Sequence, residues 1–371
     1  MKNVKTQIYG TFGPACQSQE ILEEMIKYGM TGMRLNLSHT TLEKSKEYIE
    51  NYRNAAKNQG VEPQILIDMQ GPELRVGDME EVLLHEGDLV KFVQKSALED
   101  SKQEEKCLWQ KEDSVNSLQK EETKESAGKA EATVRIPIPA EVLKVLDSEM
   151  EVLLDDGKIR VRIEKAEPEM AIAKVLMGGV LKAHKSIKIV DVNVSMPVLT
   201  EHDLINIRQA KEYGVTALMQ PFVFSGEDLK KVRKILKEEN ALELQIFAKI
   251  ENRMGVKQLE NILPEADLIV IARGDLGNDM PLWELPAVQK QVELTCKKYG
   301  KPYMVVTQML SSMEQNPIPT RAEVSDIFHA VYHGAAAVMV TGETAVGKYP
   351  VEVIKYLANT ANMAHTNGEI V

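Results

Sequence analysis

The chain has 371 residues, more than one hydrophobic core usually spans, and 43% of them are hydrophobic against 27% charged; this is a globular composition with room for one large domain carrying an insertion. Asp and Glu number 56 against 45 Lys and Arg, a net charge of −11, which argues against a nucleic-acid binder. The N-terminus has no apolar signal core and no apolar run reaches membrane-spanning length; the three cysteines, Cys16, Cys107 and Cys296, lack metal-ligand spacing and read as reduced thiols, so the expected location is cytoplasmic.

Residues 7–12 read as a short strand and 18–28 as an amphipathic helix closed by Gly29. The next predicted strand, 33–39, sets Met33, Leu35 and Leu37 on one face and Arg34, Asn36 and Ser38 on the other. Strands of a parallel α/β sheet are usually buried on both faces. A polar row there is either a hydrogen-bonded network or a ligand site, and a ligand site is the stronger reading. A helix over 41–58 leads into strand 64–68, which ends at Asp68 and breaks at Gly71-Pro72.

From 72 to 186 the alternation of strand and helix stops. Short strands are predicted at 89–93, 151–154, 159–163 and 171–175, with Asp155-Asp156-Gly157 as a hairpin turn. Residues 99–131, dense in Glu, Lys, Ser and Gln, read as a charged surface excursion.

The alternation then resumes, with strands at 216–222, 244–250, 268–272, 303–307 and 336–340 and helices between them. Thr320 and Glu323 form a capping box at the start of one of those helices. With 72–186 set aside, eight strands and roughly 250 residues remain, the size of an α/β (β/α)8 TIM barrel. The predicted organisation is a barrel of 1–71 and 187–371, with a β-rich lid, 72–186, inserted after the third strand.

Charged and hydroxyl residues collect where these strands end, which is the catalytic face of such a barrel. In Ala248-Lys249-Ile250-Glu251, alternation puts Lys249 and Glu251 on one face. The following strand ends in Ala272-Arg273-Gly274-Asp275. A lysine beside two carboxylates, Glu251 and Asp275, suits a hard metal ion and an anion, although a Lys–Glu pair closing a turn would leave the same pattern. Thr307, Thr341 and Glu343 fall at the last two strand ends, and Arg75 at the hinge to the insertion. Gly342 to Lys348 has the spacing of a phosphate-binding P-loop, but Tyr349 stands where that loop needs a hydroxyl short enough to reach Mg²⁺, so it is rejected.

In chain order, Thr11-Phe12-Gly13-Pro14-Ala15, Arg34-Leu35-Asn36-Leu37-Ser38-His39, Gly71-Pro72-Glu73-Leu74-Arg75, Ala248-Lys249-Ile250-Glu251-Asn252, Ala272-Arg273-Gly274-Asp275-Leu276-Gly277, Thr307-Gln308-Met309-Leu310, Pro319-Thr320-Arg321-Ala322-Glu323 and Thr341-Gly342-Glu343-Thr344-Ala345 resemble the successive signatures of pyruvate kinase. The resemblance implies transfer of the phosphoryl group of phosphoenolpyruvate to ADP, giving pyruvate and ATP, with Mg²⁺ or Mn²⁺ and K⁺. It implies that Glu251 and Asp275 hold the divalent ion and that Lys249 and Arg34 hold the phosphoryl group. It further implies that Asn36, Ser38, Asp68 and the Met69 carbonyl bind K⁺, with Glu73 similar to the acid of K⁺-dependent members. His39 and Arg75 would face the nucleotide, and Gly274, Asp275 and Thr307 the substrate carboxylate. Thr341 and Glu343 would serve proton delivery.

Three departures fall on the nucleotide side. Met69-Gln70 stands for the family's Thr-Lys, Thr200-Glu201-His202-Asp203 for Ser-Glu-Lys-Asp, and Pro221-Phe222-Val223-Phe224 for Ser-Phe-Val-Arg. They keep open a metal-dependent lyase or decarboxylase acting on pyruvate or oxaloacetate, and a silent paralogue. The chain is expected to lack the family's C-terminal allosteric domain and is compatible with a homo-oligomer built through the barrel.

Overall fold

The computed structural model describes residues 5–38, 40–72, 74–94, 134–155, 157–190, 192, 194 and 196–367. The charged excursion at 99–131, Cys107, His39 and Glu73 lie outside the described residues. The described chain divides into two compact units, 1–72 with 197–371, and 73–196.

In the first unit eight parallel strands close on themselves: β1 (Gln7–Thr11), β2 (Gly32–Asn36), β3 (Gln64–Asp68), β4 (Ala217–Gln220), β5 (Gln245–Ile250), β6 (Leu268–Ala272), β7 (Tyr303–Val306) and β8 (Ala337–Met339). Each pairs with its sequence neighbours, and β8 pairs with β1 to close the barrel. The period-two pattern decides what lies inside. Tyr9, Leu66, Met219, Phe247, Val270 and Met304 form the apolar cluster of the interior. Ala248 and Ile250, facing the other way, pack into the layer beneath the helices with residues such as Leu22, Met25, Val353 and Leu357. The interior is therefore filled with side chains in the manner of a TIM barrel.

Local chemistry starts the helices. Thr200, Ser225 and Thr320 each form a capping box with the acid three residues on, Asp203, Asp228 and Glu323. The helical stretch between β5 and β6 forms two pieces, Arg253–Lys257 and Leu259–Ile262, because Asn252 caps the first and Gln258 leaves helical geometry. β2 ends at Asn36, so Leu37 and Ser38 lie in the turn beyond it.

The second unit is built on a six-stranded sheet ordered Ile187–Ile189, Glu151–Leu154, Ile159–Glu167, Met170–Met177, Leu89–Gln94 and Val134–Ile138. Gly179–Leu181 pairs separately with Val82–Leu84. Phe92, Ile136, Val152 and Val161 lie in its own buried core. The expected return to the barrel at 187 moves to 197, because Ile187–Ile189 pairs with Glu151–Leu154 and belongs to this sheet. Among the described residues no helix is long and apolar enough to cross a membrane.

Leu66 is 1% exposed in the barrel interior. Leu66→Ala is expected to destabilise the folded chain by about 2–5 kcal/mol, read from the midpoint of urea unfolding. A loss under about 0.5 kcal/mol would mean that the interior is loosely packed there.

Candidate active site

The interior turns from apolar to ionic at the C-terminal ends of β2, β3 and β5. Asn36 stands opposite Asp68 in register, and Met219 of β4 opposite Asp68 on its other side. Asp68 is buried. Its Oδ2 accepts from Arg34 Nε at 2.9 Å and Nη2 at 2.6 Å. Its Oδ1 is buried and forms a long ion pair with Lys249 Nζ at 3.5 Å, with no closer hydrogen-bond partner among the described residues. Lys249 Nζ makes a closer pair with Glu251 Oε1 at 2.7 Å, and Glu251 Oε2 accepts the Phe222 N–H at 2.8 Å.

These charges tune one another. Burial opposes ionisation of Asp68, but Lys249 and Arg34 more than offset it and hold its carboxyl below the usual range. Burial also works against the Lys249 ammonium, yet Asp68, Glu251 and Asp275 together push its pKa above the ordinary lysine value. For Glu251 burial wins. Assisted by the Asp275 charge and opposed by Lys249, it raises that carboxyl. Asp275 thus lies within electrostatic reach of both Lys249 and Glu251, although it sits exposed on the helix Arg273–Asn278 that follows β6.

The remaining strand ends are held by unusual backbone and by side chains that brace it. Thr307 and Gln308 both have positive φ, 76° and 56°. For a β-branched residue such as threonine that region is an outlier. Arg273 braces the turn, with Nε and Nη2 donating to the Thr307 carbonyl at 3.1 and 2.7 Å and Nη1 forking onto Asp326. Gly274 lies alongside, where a Cβ would come within 3.2 Å of Thr307 Cγ2. Glu343 is buried and its carboxylate is engaged by the Leu310 N–H, the Thr341 N–H and the Thr341 hydroxyl. It ties the β7 and β8 loops together.

The donors fit hard cations. Asn36, Ser38, Asp68 and the Met69 carbonyl can offer oxygen ligands, and the buried Asp68 Oδ1, held among the described residues only by the long Lys249 pair, is the kind of atom a monovalent ion would satisfy. Among the described residues no cluster of three or more His, Cys, Asp or Glu side chains forms a ready metal cage. Glu251 and Asp275 as a pair suit Mg²⁺, which takes one or two carboxylates and fills its shell with substrate oxygens and water.

The structure therefore brings Arg34, Asp68, Lys249 and Glu251 into direct contact, with Asp275 close by. Thr307 lies beside Gly274, and Thr341 beside Glu343. Arg75 lies in the second unit, where its guanidinium donates to the His184 carbonyl at 2.7 Å. Sequence reasoning assigned nothing to Asp203 or to the Arg273–Asp326 pair. Arg273 carried a signal all the same, since an arginine next to a wholly apolar strand needs an acid partner.

Comparison with known proteins points one way. The family model described as pyruvate kinase, barrel domain, matches residues 3–123 and 105–354. The chain is 36% identical to a pyruvate kinase of Geobacillus stearothermophilus over 359 residues, 96% of this chain and 56% of that protein. It is 34% identical to a pyruvate kinase of Chlamydia trachomatis over 352 residues, 95% of this chain and 66% of that protein. The chain thus spans between about half and two thirds of the length of these relatives.

A carboxyl whose folded pKa is depressed contributes stability that is complete above its unfolded value and is lost as pH falls through the folded value. Asp68→Asn is thus expected to cost about 3–5 kcal/mol near neutral pH, where Arg34 and Lys249 lose a buried counter-charge. The gap to the parent chain should narrow as pH falls below about 4. Urea titrations across that range check it, and a gap that stays constant would show that Asp68 is not held ionised.

Proposed function

The chain belongs to the pyruvate kinase family, and from that premise we propose that it moves the phosphoryl group of phosphoenolpyruvate to ADP, yielding pyruvate and ATP. The observation that carries this reading is the half-buried pair of cations, Arg34 and Lys249, gathered by the buried Asp68 at one end of the barrel. Transfer of a phosphoryl group asks for in-line positioning and for charge stabilisation more than for covalent help.

Arg34 and Lys249 supply that stabilisation, each 15% exposed or less and already oriented by the Asp68 carboxylate. Glu251 fixes Lys249 from the other side. Glu251 and Asp275 would hold Mg²⁺ or Mn²⁺, and Asn36, Ser38, Asp68 and the Met69 carbonyl K⁺. Bound there, the two ions would neutralise charge on the phosphoryl and enolate oxygens. The backbone around Gly274 and Asp275, with the Thr307 hydroxyl, would receive the substrate carboxylate. Thr341, whose hydroxyl donates to Glu343, would serve proton delivery to the enolate. The partners on this reading are phosphoenolpyruvate, pyruvate and the adenine nucleotides, in the cytoplasm.

A second reading, a metal-dependent lyase or decarboxylase on pyruvate or oxaloacetate, draws on Gln70, His202 and Phe224, which replace nucleotide-side residues of the family. A lyase has no need of a phosphoryl clamp, and the contacts joining Arg34, Asp68 and Lys249 favour the kinase.

A coupled assay for pyruvate with phosphoenolpyruvate, Mg²⁺ and K⁺ separates the two. Pyruvate should form only with ADP, and Lys249→Met should lower kcat by on the order of a hundredfold or more. Turnover of oxaloacetate without nucleotide would establish the lyase instead.

A further inference from the structure

Asp203 is wholly buried although it lies in the first turn of the surface helix Glu201–Gln209. A capping box explains half of its contacts, since Oδ2 accepts the Thr200 N–H at 2.8 Å and the Thr200 hydroxyl at 2.9 Å. The other half is not capping. Oδ1 accepts the Gln70 N–H at 2.8 Å and Oδ2 the Gly71 N–H at 3.1 Å, more than 130 residues away in the chain. The capping carboxylate of Asp228 receives its hydrogen bonds from nearby residues, Phe224 and Ser225.

The Gln70 contact has a geometric consequence. A trans peptide is planar, with its C=O and N–H antiparallel. Holding the Gln70 N–H against Asp203 therefore turns the Met69 carbonyl away from Asp203. On the other side of Met69 the chain is pinned too, by the Met69 N–H on the Met219 carbonyl and by the Asp68 carbonyl, which accepts the Leu37 N–H. Gly71 has φ +62°, and a Cβ there would come within 2.5 Å of Pro221 Cγ, so the loop has little room to move on that side. Met69 is the residue whose carbonyl would join Asn36, Ser38 and the buried Asp68 Oδ1 around a monovalent cation.

We propose that Asp203 is a positioning residue for that cation site, fixing the plane of the Met69–Gln70 peptide and so the direction of one cation ligand. This rests on the K⁺ assignment made above. Groups that orient metal ligands typically change metal affinity by about 10- to 100-fold when they are replaced.

The test reads binding without turnover. Thermal unfolding midpoints are followed as K⁺ replaces N-methylglucamine at constant chloride, and K⁺ affinity is taken from the K⁺-specific rise. Asp203→Asn, which sets an amide against backbone donors, should weaken K⁺ binding by about tenfold or more. Asp203→Glu keeps the charge, shifts the carboxylate by one methylene and gives the same reading if Asp203→Asn does not fold. Thr200→Ala removes the cap hydroxyl, and with it the contact to the Gln70 side chain, but leaves the Asp203 contacts to the Gln70 and Gly71 N–H groups, so it should lower the midpoint and keep the K⁺ affinity. Parental K⁺ affinity in the folded Asp203 variants would overturn the proposal, as would an equal loss in Thr200→Ala. A parent chain whose midpoint ignores K⁺ would overturn the cation site itself, and the proposal with it.

Discussion

A single buried carboxylate organises one end of this barrel. Asp68 is reached by Arg34 from β2 and by Lys249 from β5, and Lys249 is shared in turn with Glu251. Taking such charges out of water is expensive, and their mutual attraction returns that energy only when the geometry is good. Apolar residues of similar volume would serve stability as well or better, and the interior below already uses them at Leu66, Phe247 and Val270. The ionic layer begins where the strands end, so its position follows function and not folding. Lys249 feels all three acids, Asp68, Glu251 and Asp275, while Arg34 pairs with Asp68 alone among them.

The same rim concentrates backbone strain. Phe222, Thr307 and Gln308 all have positive φ at strand ends of the barrel. Non-glycine residues in that region cost about 1–3 kcal/mol each and persist only where their surroundings insist on it. Here charged side chains supply much of that insistence. Glu251 takes the Phe222 N–H, Arg273 takes the Thr307 carbonyl, and Glu343 takes the Leu310 N–H. Backbone that would otherwise relax is held open towards the mouth, and the groups holding it are themselves buried or half-buried.

Much of this was legible in the sequence, for reasons of period. Eight strands, most of them apolar runs followed by helical stretches, identify the barrel once 72–186 is set aside, and alternation alone separates Lys249 and Glu251 from Ala248 and Ile250. The insertion was harder to read. Ile187–Ile189 is three residues long, carries little periodicity and gains its identity only by pairing with Glu151–Leu154, so the return to the barrel was placed ten residues early. Asp203 was invisible for another reason. At the third position of a helix an acid after threonine reads as a cap, and nothing local reports that its carboxylate also grips Gln70 and Gly71. The pair formed by Arg273 and Asp326 shares that long-range character.

The departures from the family pattern around Met69 and Gln70 take on a physical meaning in this light. A residue that contributes a carbonyl can exchange its side chain freely, provided that its peptide plane is kept. Met69 is buried and its N–H is paired to β4; the Gln70 side chain accepts from the Thr200 hydroxyl at 3.3 Å. The backbone of this loop is fixed by Asp203, by the glycine conformation at 71 and by Pro221 packed against it, none of which depends on the side chains at 69 and 70. Gln70, standing where the resemblance expects a lysine, carries no charge, and the hydrogen bonds from this loop to Asp203 come from its backbone N–H groups. Changes of this kind act on whatever approaches the barrel from outside, while the arrangement of Asn36, Asp68 and the Met69 carbonyl rests on contacts that the substitutions do not touch.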